Sequence, residues 1–211
     1  MAAKDLKRDL KKLLPLLLEA QDKNLNEADT RIRVLRMFSV VLGYDTLSEV
    51  SSEQRIPEKY VDFAIKINGV IRFLVEVKAA GITLRDRHIE QAERYASQGN
   101  IPWVVLTNGV VWNLYHLTFD EGIDYERAFS ADLANDTLDS AASLIGLLHR
   151  KSILKGHHNR FWKEQLALGP RSLGKALFTE EALLLLRRQL RRQEGFMVDI
   201  EDLAQAIQQL F

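Results

Sequence analysis

Hydrophobic and polar residues alternate along this chain in two textures. At the start, Leu6, Leu10, Leu13, Leu14, Leu17 and Leu18 recur at helical spacing and predict a helix over residues 3–21, with Pro15 expected to kink or restart it. A second helix is predicted from about Glu27 to Val41. Asn24 or Asn26 would cap it, Val34, Leu35, Phe38, Val41 and Leu42 would face inward, and Gly43 would stop it. The period then shortens to two. Residues 47–56 read as a weak strand, and 60–67 and 70–78 as strong strands joined at Asn68-Gly69. A helix is predicted over 84–98, then strands over 103–107 and 110–117 joined at Asn108-Gly109. Beyond an acidic loop the pattern is helical to the end, over 137–149, 151–167, 179–194 and 199–210, with a break at Gly169-Pro170.

The order helix, three strands, helix, two strands predicts an α/β core with a mixed sheet. The expected division is a core over 1–117 and an all-helical appendage over 118–211.

The two central strands carry the chemistry. In Val70–Lys78, alternation puts Ile71, Phe73, Val75 and Val77 on one face and Arg72, Leu74, Glu76 and Lys78 on the other. In the preceding strand Val61, Phe63, Ile65 and Ile67 oppose Tyr60, Asp62, Ala64 and Lys66. A two-residue loop would pair Asp62 with Val75 and split the apolar rows between faces. A three-residue loop with Gly69 in a bulge pairs Lys66 with Val70, sets Asp62 opposite Leu74 and Tyr60 opposite Glu76, and brings both carboxylates to one face. The second register is the one expected. Two carboxylates on adjacent strands are hard oxygen ligands for Mg²⁺ or Mn²⁺, and a lysine beside them can orient water or stabilise a phosphorane. Asp62, Glu76 and Lys78 therefore form a sufficient set for hydrolysing a phosphodiester.

Composition narrows the field. With no cysteine there are no disulfides, thiolate metal sites or cysteine nucleophiles, which fits a reducing cytoplasm. The apolar run at 13–18 is too short to span a membrane, and no signal peptide is expected. The formal net charge is +0, mildly against a nucleic-acid binder, but charge is segregated. Residues 120–139 are acidic, whereas 150–192 are rich in arginine and lysine. Lys155, Arg160, Lys163 and Arg171 are accordingly expected to supply positive surface beside the carboxylates. Arg187, Arg188, Arg191 and Arg192 read as a solvated helix face, and His157-His158 lacks the companions a zinc site needs.

Asp62 followed by Glu76-Val77-Lys78 resembles the PD-(D/E)XK nuclease signature, with Val61 where that signature has proline. The stretches N-E-A-D-T-R at 26–31, Y-V-D-F at 60–63, F-L-V-E-V-K at 73–78, Q-A-E-R-Y-A at 91–96 and L-T-N-G-V-V-W-N-L-Y at 106–115 together resemble the N-terminal nuclease domain of the type I restriction enzyme motor subunit. The resemblance covers about residues 24–117. It implies a restriction-endonuclease-like core acting on DNA, RNA being the other candidate substrate, with Mg²⁺ or Mn²⁺ as cofactor. It also implies that Glu27 is a further acid of the metal centre, that the carbonyl of Val77 is a metal ligand, and that Gln91 and Tyr95 support the site and approach the strand. No Walker motif G-x-x-x-x-G-K-[ST] is present, so a stand-alone relative without the helicase motor is expected. The alternative is an inactive nucleic-acid-binding or regulatory module of the same fold. A homo-oligomer or a partner subunit would be held through the C-terminal helices.

Overall fold

The computed structural model describes residues 3–56, 59–120 and 122–209, without the side chains of 3, 4 and 53–60. The chain divides into two compact units, Met1–His158 and Asn159–Phe211.

The first unit is built on a six-stranded sheet in sequence order, β1 (Val50–Ile56), β2 (Lys59–Ile67), β3 (Val70–Val77), β4 (Trp103–Thr107), β5 (Val111–Thr118) and β6 (Asp124–Asp132). Every neighbouring pair is antiparallel except β3 and β4, which are parallel. A parallel pair needs a crossover. Here it is a 3₁₀ turn, Asp86–Ile89, leading into α3 (Glu90–Gly99). Ala92 and Ala96 of α3 pack on Ala64, Leu74, Val104 and Leu106 on one sheet face.

The other face meets α2 (Glu27–Arg36), which runs on as a π-helical turn, Met37–Val41, and ends at Gly43 with φ +72°. Phe38 is the hub of this layer. Its ring lies 5.7 Å from Tyr44, 6.0 Å from Trp112, 6.2 Å from Phe73 and 6.4 Å from Phe63. The long helix α1 (Ala3–Asp22) passes through Pro15 without a break and packs against α2's π turn and α4 (Leu138–Ile145). A short helix, α5 (Arg150–Leu154), follows; Arg150 joins it to Glu49 with Nε 2.7 Å from Oε1.

Two expectations are corrected. The core does not close near residue 117, because β6 pairs with β5 along its whole length and α4 packs on β6. Its sequence, D-Y-E-R-A-F-S-A-D, hides a strand because an edge strand exposes most of its polar side chains. The expected helix over 151–167 is interrupted at Gly156, φ +68°, separating α5 from α6 (His157–Leu168).

The second unit is helical. It comprises the rest of α6, then α7 (Pro170–Leu177), α8 (Glu180–Glu194) and α9 (Ile200–Gln208). Leu183, Leu203 and Ile207 form its small core with Leu177, Leu186 and Leu190 around them. Among the described residues no helix is long and apolar enough to cross a membrane.

The aromatic hub makes a stability prediction. Phe38 is fully buried, and truncating a buried phenylalanine typically costs roughly 3–5 kcal/mol because the cavity collapses only partly. Phe38→Ala should lose about that much by urea denaturation, and Phe38→Leu markedly less. A loss below about 1 kcal/mol for the alanine variant would show that the four rings close over the gap.

Candidate functional site

The hairpin between β2 and β3 decides where the carboxylates lie. Asn68 and Gly69 have φ of +55° and +76°, so the turn is a two-residue, type I′-like one, and Ile67 pairs with Val70. The expected three-residue loop is therefore absent. One residue later the register shifts: Lys66 pairs with Ile71 but Ile65 with Phe73, so Arg72 is an extra residue in β3. The ladder then continues Ala64 with Leu74 and Phe63 with Val75. One further step sets Asp62, not Tyr60, opposite Glu76. Both carboxylates share a face, as expected, but the offset comes from a bulge at Arg72. The bulge also turns Ile71 over to pack with the Leu74 cluster, where alternation alone had placed it with Phe73.

Asp62 is almost buried, at 9% exposure, and both its oxygens are held. Oδ2 accepts the backbone N–H of Val77 at 2.7 Å, and Oδ1 accepts from Arg31 Nη1 at 3.0 Å. Glu76 is deeper, at 4%. Its Oε1 accepts from Lys78 Nζ at 2.5 Å, while Oε2 is buried with no hydrogen-bond partner. Burial pushes the Glu76 carboxyl up to about 7; the Lys78 hydrogen bond and charge pull it back down, while the nearby charges of Asp62 and Glu27 add to the rise. Glu27 is therefore close enough to act on Glu76, although it sits on α2.

Several contacts fix α2 there. Asn26 caps the helix by accepting from Asp29 N at 2.9 Å. Ala80 N, just beyond Lys78, donates to Leu25 O at 3.0 Å. A Cβ at Gly81 would fall 1.5 Å from Asn24 Oδ1, so a larger residue there would have to displace the Asn24 side chain. Lys78 N donates to Thr107 O at 2.8 Å, and Asn108 Nδ2 donates to Ile82 O at 2.9 Å, tying the same segment to the β4–β5 turn.

The fold thus brings together Asp62, Glu76, Val77 and Lys78, with Glu27 near enough for its charge to be felt at Glu76. It adds Arg31, which the sequence reading passed over although it lies one helical turn from Glu27 on α2. Gln91 is exposed in the first turn of α3. Tyr95, one turn later, packs against the Leu74 cluster and lines a groove with Val70 and Ile71, at the turn end of the hairpin. That end is about 20 Å along β3 from Glu76 by strand rise. Lys155, Lys163 and Arg171 are exposed, and Arg160 pairs with Glu164 of its own helix at 2.8 Å.

The donor set suits a hard divalent cation. Two carboxylates face each other across adjacent strands, and one buried oxygen, Glu76 Oε2, has nothing to bind it. Among the described residues no group of three or more His, Cys, Asp or Glu could hold a metal ion. Further ligands would be backbone carbonyl, water and substrate oxygen, the usual complement of Mg²⁺.

The raised carboxyl has a measurable consequence in metal-free protein. An ordinary glutamate titrates near 4.5, and this one near 7, so between those values the folded chain keeps a proton that the unfolded chain has released. Stability therefore falls as pH rises through that window and levels off above it. Glu76→Gln should be more stable than the parent at pH 8 in EDTA, by up to about 3 kcal/mol, with the difference vanishing toward about pH 4. A pH-independent difference would mean that folding does not raise the Glu76 carboxyl.

No curated protein and no solved structure matches the chain. Residues 26–126, just under half of the chain, match the model of the type I restriction enzyme R protein N terminus. The match runs from the cap of α2 into β6 and includes Glu27, Arg31, Asp62, Glu76, Lys78 and Gln91. That segment, which holds Asp62, Glu76 and Lys78, is similar to type I restriction enzyme R protein N-terminal domains.

Proposed function

We propose that this protein is a divalent-metal-dependent nuclease that hydrolyses phosphodiester bonds of DNA. The observation that carries the reading is the facing pair Asp62 and Glu76, with Lys78 on Glu76 and one buried Glu76 oxygen left unpartnered. The family match supports it, since that family is named for a restriction enzyme.

Asp62, Glu76 and the carbonyl of Val77 would hold Mg²⁺ or Mn²⁺, with Glu27 acting through water. The bound ion would lower the pKa of a water and neutralise charge on the phosphate. Lys78 would use its ammonium group to orient the attacking water and to meet the charge that develops on the phosphorane. Metal binding requires Glu76 ionised, so the raised carboxyl makes ion uptake increase as pH passes through about 7. Gln91 would approach the strand from α3, with Tyr95 holding that helix on the sheet. Lys155, Lys163 and Arg171 would contact phosphates of the nucleic acid, with Arg160 available once it leaves Glu164.

A plasmid-nicking assay with Mg²⁺, Mn²⁺ or EDTA tests the reading. Cleavage should require the divalent ion, and Asp62→Ala or Glu76→Ala should abolish it while circular dichroism shows an intact fold. Lys78→Ala should lose turnover by about a hundredfold or more while DNA affinity changes much less, because its task arises only along the reaction path. Full activity in either carboxylate variant would refute the assignment. DNA binding without metal-dependent cleavage by the parent would identify a binding module instead.

A further inference from the structure

Each carboxylate of the site already carries one cation from the chain. Lys78 sits on Glu76, two residues further along the chain and just past the end of β3. Arg31 reaches Asp62 from a different element, α2, with Nη1 3.0 Å from Oδ1. The second contact of Asp62, to Val77 N, is a backbone amide of β3 where that strand pairs with β4. Arg31 is different in kind. It is a long side chain about one-third exposed, so it can leave Oδ1 at little cost in desolvation, and water or a substrate can reach it.

A divalent ion on Asp62 Oδ1 would stand about 2.0–2.1 Å from that oxygen for Mg²⁺. The guanidinium nitrogen now stands 3.0 Å from the same atom. Both would draw on one oxygen's lone pairs, and a dication and a guanidinium would be roughly 4 Å apart in a largely buried site, where repulsion is weakly screened. The two contacts compete for the same oxygen. Without any cation, Asp62 would be a buried carboxylate beside Glu76, so the metal-free fold needs Arg31 there.

We propose that Arg31 is the counter-ion gate of this site: it neutralises Asp62 in the metal-free protein, is displaced when a divalent cation binds, and then grips a substrate phosphate. This rests on the nuclease reading above. Displacement leaves the guanidinium tethered on α2 beside the ion, and its planar fork matches two phosphate oxygens. Metal loading and phosphate binding are thereby coupled, each favouring the released arginine.

The test measures binding, not turnover. Mn²⁺ affinity of the full chain, without DNA, is read by electron paramagnetic resonance for the parent, Arg31→Gln, Arg31→Lys and Asp62→Asn. Arg31→Gln should bind Mn²⁺ about three- to tenfold tighter, since a competitor worth roughly a partly buried ion pair is gone. Arg31→Lys should stay near the parent. DNA affinity measured in Ca²⁺ should fall several-fold in Arg31→Gln, and the salt dependence should shrink by about one phosphate contact. Unchanged or weaker Mn²⁺ binding in Arg31→Gln would overturn the gate and make Arg31 a fixed support. Tighter Mn²⁺ with unchanged DNA affinity would overturn the phosphate role. Failure of the nuclease reading looks different: the parent and Asp62→Asn would then bind Mn²⁺ equally or not at all. Should Arg31→Gln fold poorly, Mg²⁺ titration of the parent decides alone, through the ¹⁵N resonances of the Arg31 guanidinium, assigned by their absence in Arg31→Lys. A shift of those resonances on saturation supports displacement, and none overturns it.

Discussion

Everything at the site depends on a single extra residue in β3. The two-residue turn at Asn68-Gly69, continued without interruption, would pair Asp62 with Val75 and send its carboxylate to the face opposite Glu76. Side-chain direction alternates with every residue, so a slip of one exchanges the faces completely. Arg72 supplies that slip. The same bulge lets Phe73 join the Phe38 layer while Ile71 and Leu74 both pack toward α3. Packing and chemistry are therefore set together, and a change that removed the bulge would move both. The cost is visible in Arg72 itself, whose Nε is buried without a partner.

The bulge fixes the face, and the segment after β3 fixes the distance. Residues 78–82 are tied on one side to the link between α1 and α2, through Ala80 and Gly81, and on the other to the turn after β4, through Lys78 and Asn108. Asn108 has its own oxygen occupied by Val110 N and Val111 N, so its amide is aimed rather than free to rotate. The carboxylates thus stand on strands whose ends are clamped, and Glu27 and Arg31 arrive on a capped helix. Groups held this way lose little freedom when a ligand binds, the condition under which electrostatic stabilisation of a transition state is most effective.

The alternating strands, both Asn-Gly turns and the trio Asp62, Glu76 and Lys78 were legible in the sequence because each is a local pattern. Even the shared face was legible, since burying both apolar rows demands even parity. What supplied the parity was not, because a bulge at Arg72 and a bulge at Gly69 satisfy the same alternation and differ only in backbone geometry. β6 was hidden by its acids, which sit on an edge where they cost nothing. Arg31 was hidden for a related reason: an arginine in a polar helix reads as solvated, and only the tertiary fold reveals the carboxylate it meets. Tyr95 shows the converse. The family resemblance implied a role shared with Gln91, and its ring packs at the turn end of the hairpin.

The balance of charge around Glu76 separates a metal site from a simple nucleic-acid surface. With Glu76 ionised, Asp62, Glu76 and Glu27 outnumber Arg31 and Lys78. A surface evolved only to hold a polyanion would carry surplus cations there, since each carboxylate repels phosphate. A structural ion-pair network would match acid to base and would gain nothing from burying an unpartnered oxygen, which is costly to fold. Surplus acid, buried and clamped, makes sense where a further positive charge completes it. On the proposed nuclease reading, that added charge would reverse the local field, and the carboxylates that repel phosphate would become the means of attracting it.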